Sequence, residues 1–270
     1  MAAPLPNHPQ LRGNYGPINF EASYDDIVIE GIVPSDLSGS LYRIGPNPKF
    51  VEGTYHWFFG AGMVHAFHVD QGKVGYVNRW VRTPKFEREI ELGRGLSLDI
   101  NINSETDQIE SNRRNGVANT HILTHGDHLV ALEEGSHPFS MDPQTLVSEG
   151  YGHYADGIKG AMTAHPKIDP ETGELHGFGY MTDHFGSNTM TYHVIDRDGR
   201  MLRSDVFEAP YAAMVHDFMI TRDYVIFPLF PLTCDLDRVA QFGFPFAFDR
   251  SVGAYIGCLL YTSPSPRDPL

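Results

Sequence analysis

Strand, tight turn and strand recur along this chain, and that rhythm restricts it to a β architecture. Phe67-His68-Val69 runs into Asp70-Gln71-Gly72 and out through Val74 to Val77. Val117 to Leu123 turns at Gly126-Asp127 into Leu129 to Leu132. Ile168, Met190 to Ile195 and Val215 to Ile220 lead into turns at Asp169 to Gly173, Asp198-Gly199 and Arg222-Asp223, each followed by another apolar run. Asp-Gly and related pairs supply the positive φ angles that hairpins need. Apolar and polar residues alternate beside most of these turns, the period of a half-buried strand. Only Pro84 to Leu96 offers a short helical candidate. The fold class is therefore all-β.

Turns at Asp169, Asp198 and Arg222 lie 29 and 24 residues apart. Two hairpins then fill roughly 50 residues, near the ~40–50-residue period of propeller blades. Residues 1–257 read as a single array, part of a β-propeller with about four blades at that period. A β-sandwich is the alternative, but it gives no reason for histidines to recur at the blade spacing. A closed ring protects its strand edges, so a partial ring predicts an open edge and poor solubility.

Composition narrows the function. The chain is 41% hydrophobic, enough for a substantial core. Its net charge of −14 repels a phosphate backbone, and Arg113-Arg114 is the nearest approach to a basic cluster. Nucleic acid is thus excluded as a partner, and a neutral apolar ligand fits better. Cys234 and Cys258 are the only cysteines, so no disulfide framework is expected. The stretch from Met1 to Asn19 lacks the apolar segment of a signal peptide. No run approaches the ~20 apolar residues of a spanning helix. These features predict a cytoplasmic protein.

Two histidines carry most of the chemical information. His165, in Met-Thr-Ala-His-Pro-Lys, and His216, in Met-Val-His-Asp-Phe, are 51 residues apart, and no histidine follows His216. Imidazole ligates iron, copper and zinc. One histidine per blade, on an inner strand facing the axis, would let ligands distant in sequence converge. Asp217 would point away from such a centre if its strand is regular. Hydrogen-bonded structural histidines are the bland alternative. His121, His125 and His128 have ligand-like spacing, but the hairpin places His125 and His128 beside an exposed turn. Glu133 and Glu134 close an apolar strand; either can solvate that end or orient a metal-bound imidazole. Phe227 to Leu232 and Phe242 to Phe248 can line an apolar tunnel, touch a membrane, or complete a core. No nucleophile elbow, phosphate loop or Cys-X-X-Cys is present, and Gly60-Ala61-Gly62 reads as a turn.

Several stretches together resemble the carotenoid cleavage oxygenases, including their stilbene- and lignostilbene-cleaving members. They are Leu37 to Pro48, His56 to His65, Asn78 to Thr83, Ala118-Asn119-Thr120, Leu132 to Gly135, Ala164 to Lys167 and His216-Asp217-Phe218. The resemblance implies a seven-bladed propeller with Fe(2+) on its axis, held by four histidines. His165 and His216 match the first two, and the others would fall beyond Gly257. Glu134 matches the family's carboxylate that supports a ligating histidine, with Glu133 as the fallback. Phe59-Gly60-Ala61-Gly62 departs from the family's Asp-Gly after the Trp-Phe motif, which puts the local hydrogen bonding in question. The implied reaction is cleavage of a conjugated C=C bond of a carotenoid, apocarotenoid or stilbenoid by O2, giving two carbonyl products. The phenol-gripping Tyr and Lys of stilbene cleavers are not clearly matched: Phe86 falls near the Tyr, and no Lys lies just before Ala118. A propeller scaffold without metal and a retinoid-type isomerase are the competing functions.

The end of the chain differs in character. Cys258 to Asp268 is similar to a translated transposase-end adapter, and Ser-Pro-Ser-Pro supports neither helix nor ladder. Residues 258–270 are expected to be a non-native tail. With two of four ligands, the chain alone is expected to be inactive and to hold iron weakly.

Overall fold

The computed structural model describes residues 5–51, 55–96, 114–238 and 245–260. Strands dominate, as the turn pattern predicts. The first sheet contains β1 (Ala22–Tyr24), β2 (Gly39–Pro46), β3 (Gly62–Asp70) and β4 (Lys73–Trp80), in the order β1-β4-β3-β2. A short helix, α1 (Pro84–Leu92), follows it. The second sheet is a meander of β5 (His121–His125), β6 (His128–Leu132), β7 (Phe139–Met141) and β8 (Ser148–Tyr151). The third is a meander of β9 (Lys167–Ile168), β10 (Leu175–Tyr180), β11 (Thr189–Ile195) and β12 (Met201–Glu208). The fourth pairs β13 (Met219–Ile220) with β14 (Tyr224–Leu229). A hairpin of β15 (Leu232–Cys234) and β16 (Phe246–Phe248) then intervenes, and β17 (Tyr255–Leu260) returns to pair with β14. All pairings are antiparallel. These four sheets are the blades of a partial β-propeller.

The turn chemistry explains the registers. Asp70 faces Lys73 across Gln71 and Gly72, whose φ values of 48° and 81° match the right-handed twist of the flanking strands. The Asp169 carboxylate accepts backbone N–H groups from Glu171 and Thr172, closing the β9–β10 turn. Asp196 accepts from Asp198 and Arg200 in the β11–β12 turn. Helix α1 starts on the Thr83 hydroxyl with Pro84 in its first turn, and stops at Gly93 in the left-handed region. It therefore ends before Leu96, the end expected from sequence.

The strands form two compact units, one on β1 to β8 with α1, the other on β9 to β17 together with Glu134–His137. Val64, Ala66, Val77, Leu129, Ala131, Phe139 and Met141 are buried together in the first. Phe178, Tyr192, Val215, Phe218, Val225, Phe227 and Leu229 are buried together in the second. Alternation is plain in β14, where Val225, Phe227 and Leu229 face inward. Each large apolar side chain so buried stabilises the fold by about 1.5–3 kcal/mol before entropy is counted. Strand β17 continues past the boundary expected at Gly257 as far as Leu260. The rest of the expected tail lies outside the described residues, as do Arg113 and residues 242–244.

Candidate metal centre

The site forms in the unit that contains β9 to β17. The segment 161–165 approaches β9 lying on β10. The Thr163 N–H donates to the Phe178 carbonyl (2.6 Å). Close approach needs bare backbone on β10: a Cβ on Gly179 would sit 2.3 Å from the Ala161 carbonyl oxygen. His165 then stands at a bend two residues before β9, with its N–H on the Thr163 hydroxyl (3.0 Å).

The second histidine also precedes its sheet. Met214 N–H donates to Leu232 O (3.1 Å), and the buried Val215 and Phe218 anchor the segment on either side of His216. Phe218 packs on Phe178 at 5.0 Å and stacks on Phe227 at 5.9 Å. Between these anchors His216 is turned outward, its side chain 64% exposed. The sequence placed both histidines on inner strands. They stand instead on the segments leading into β9 and β13, where no ladder fixes the side-chain direction.

Those segments bring the two imidazoles together. Their ring centroids are 4.7 Å apart with planes at 66°. The His216 Nδ1–H donates to Glu134 Oε2 (2.7 Å). That bond puts the proton on Nδ1 and leaves the lone pair on Nε2, the form a metal requires. Glu134 Oε1 accepts the Tyr180 hydroxyl. Beside the pair, Lys167 Nζ donates to Asp217 Oδ1 (2.8 Å), linking the two histidine-bearing segments. Burial, followed by the neighbouring His216, lowers the His165 pKa and favours its neutral, ligating form. Burial pushes the Asp217 carboxyl upward, but the Lys167 and Phe218 hydrogen bonds outweigh it and the net shift is down. Asp217 is thereby occupied as an ion-pair partner.

The two glutamates separate cleanly. Glu133 Oε2 accepts the Val117 N–H (2.9 Å), whereas Glu134 reaches His216. The remaining candidates are structural. His125, expected beside an exposed turn, is only 6% exposed and bonds the Tyr154 hydroxyl at 2.7 Å. His128 packs edge-on against the same ring. His176 and His193 are buried with Tyr192 and Ser204 as partners. Phe86, the counterpart of a phenol-gripping Tyr, is core and stacks on Trp80 at 5.7 Å. The altered Gly60 turn is satisfied: the Asn119 amide donates to Phe58 O (2.8 Å) and Gly60 O (2.7 Å). Tyr180 had no sequence signal, because its partner lies 46 residues away. Among the described residues no three His, Cys, Asp or Glu side chains converge as a complete metal site. The proximity of His165 and His216 is compatible with two imidazoles on one ion.

The family model for the retinal pigment epithelial membrane protein, RPE65, matches residues 15–263. An isoeugenol monooxygenase of Pseudomonas putida is 37% identical over 256 residues, covering 94% of this chain and 53% of that protein. Carotenoid cleavage oxygenase 1 of Neurospora crassa is 37% identical over 263 residues, covering 95% and 49%. The crystal structure of a Pseudomonas brassicacearum lignostilbene dioxygenase superposes with a TM-score of 0.82 at 35% identity, covering 96% of this chain and 55% of that one. The chain spans about half the length of the curated relatives it matches.

Proposed function

This chain belongs to the RPE65 family of carotenoid oxygenases, and on that footing we propose that it carries half of the ferrous centre of a dioxygenase. The observation behind the proposal is the pair of imidazoles 4.7 Å apart, one oriented by a carboxylate. His165 and His216 are the ligands, and Glu134 accepts the Nδ1 proton of His216 so that Nε2 faces the metal. Its negative charge also offsets part of the cation's, which neutral imidazoles leave uncompensated. The Lys167–Asp217 pair holds the two ligand segments in step. Fe(2+), when bound with open positions, supplies O2 activation for splitting a conjugated C=C bond into two carbonyls. The names of the relatives support a carotenoid, apocarotenoid or stilbenoid substrate. Phe86, buried in the core, does not supply a phenol-gripping hydroxyl.

Two imidazoles hold Fe(2+) weakly against water, so the chain by itself is inactive in this proposal. The further donors that such a centre needs lie, in this proposal, in the part of the relatives' length that this chain does not cover. Both cysteines are free thiols, in keeping with a cytoplasmic location. No helix among the described residues is long and apolar enough to cross a membrane.

The test has two arms. Anaerobic titration of the 270-residue chain with Co(2+), a spectroscopic stand-in for Fe(2+), should show weak binding that His165→Ala or His216→Ala abolishes. The chain completed to the length of its relatives should convert a stilbene or an apocarotenoid under 18O2 into two carbonyl products. Label in both supports dioxygenase cleavage. Unlabelled isomerised product assigns the isomerase function, and no metal with no turnover assigns a scaffold.

A further inference from the structure

We infer that Tyr180 is a positioning residue for this site, acting through Glu134 on His216; the inference rests on the metal-centre reading above. Tyr180 ends β10, where it pairs with Met190. Its hydroxyl donates to Glu134 Oε1 while Oε2 of the same carboxylate accepts the His216 Nδ1–H. A carboxylate held by one oxygen turns about its terminal torsion. Held by both, it has one orientation and offers His216 one acceptor. Burial, then the Glu134 charge, raises the Tyr180 pKa well above the phenol range, so the hydroxyl remains a donor at neutral pH.

Strand β10 also seats the other histidine. Its Phe178 carbonyl takes the Thr163 N–H, and Phe178 packs on Phe218 two residues beyond His216. The stretch containing Glu134 is tied to the same place, since Ser136 O accepts the Met162 N–H (3.1 Å). Residues 178–180 are thus a shared platform for both imidazoles and for the carboxylate between strand and ligand. Tyr180 supplies the hydrogen bond from β10 to that carboxylate.

The test begins without metal. In the 270-residue chain labelled with 15N-imidazole, long-range proton–nitrogen spectra at neutral pH should show His216 as the Nδ1–H tautomer. Tyr180→Phe should give a mixture of tautomers and weaken Co(2+) binding about 3- to 10-fold, below the ~10–100-fold typical of a direct partner of a ligand. Replacing Tyr180 by 4-aminophenylalanine, which restores a donor at the para position, should restore both readouts. A purely structural role would lower the melting temperature of Tyr180→Phe and leave the tautomer alone; that result, or wild-type Co(2+) affinity, overturns the inference. If Tyr180→Phe does not fold, the aminophenylalanine variant decides: a wild-type tautomer supports the role and a mixed one refutes it. Failure of the metal reading is separately visible, as unchanged Co(2+) affinity in His216→Ala.

Discussion

His176 and His193 lie only a few residues along the third sheet from the His165 approach, yet the two pairs are held in opposite ways. His193 is fully buried in β11, where Ser204, Thr191 and the Ala161 carbonyl surround it. His176 is fully buried in β10 and meets the Tyr192 hydroxyl at 2.6 Å. Hydroxyls and a carbonyl occupy these rings, and the ladder fixes their direction. His165 and His216 stand outside the ladders, meet each other, and one is gripped by a carboxylate. A histidine inside a strand serves the fold; one on the approach to a strand is available for chemistry. Residue type and spacing do not distinguish them.

The sharpest way to break that contrast is to remove each pair in turn. His165→Ala and His216→Ala should abolish Co(2+) binding and barely move the melting temperature. His193→Ala should do the reverse, destabilising by about 1–3 kcal/mol as buried polar partners lose their bond. Equal loss of Co(2+) affinity in His193→Ala would show that the division is false.

Acid should separate them next. Burial lowers the His193 pKa to about 4, below the ordinary 6.5. The unfolded chain therefore binds the proton that the folded chain refuses. The associated stability is complete above pH ~6.5 and is lost as the pH falls toward ~4, on the order of 3 kcal/mol for a shift of this size. Urea melts at pH 7 and pH 4.5 measure it, and His193→Gln should flatten the difference. An unchanged slope would mean that other groups govern the acid response.

Smaller effects refine the pair outside the ladders. Glu134→Gln should weaken Co(2+) binding by about 10- to 100-fold, as loss of an orienting carboxylate does. Glu133→Gln should leave the affinity unchanged, since Glu133 holds the Val117 N–H instead. Asp217→Asn removes a partly exposed ion pair and should cost no more than about 1 kcal/mol, vanishing in high salt. A larger loss would make the Lys167 link more than an accessory.

Much of this was legible in the chain. The hairpins were readable because Asp-Gly and Asp-led turns carry local chemistry that needs no tertiary context. Helix α1 was readable as a candidate over Pro84 to Leu96, but its stop at Gly93 was not. His165 and His216 were readable as a pair through their motifs. Their place on approach segments was not, since an apolar run ending in a turn looks the same whether or not its last residues join a ladder. The same limit hid the burial of His125, whose partner Tyr154 is 29 residues away. The residues alone left Glu133 and Glu134 as alternatives and the resemblance ranked Glu134 first; the fold gives each a different donor, Val117 N–H and His216. Tyr180 left no trace, because a tyrosine closing an apolar strand is ordinary and its meaning comes from a distant carboxylate.

The bare position at Gly179 has a practical consequence. It lets a crossing peptide settle against the strand, so His165 is seated by an atom that is missing. A survey that trims every side chain to a methyl would count this position as unimportant or pass over it. Adding a methyl there, the reverse of the usual experiment, is what would unseat the imidazole.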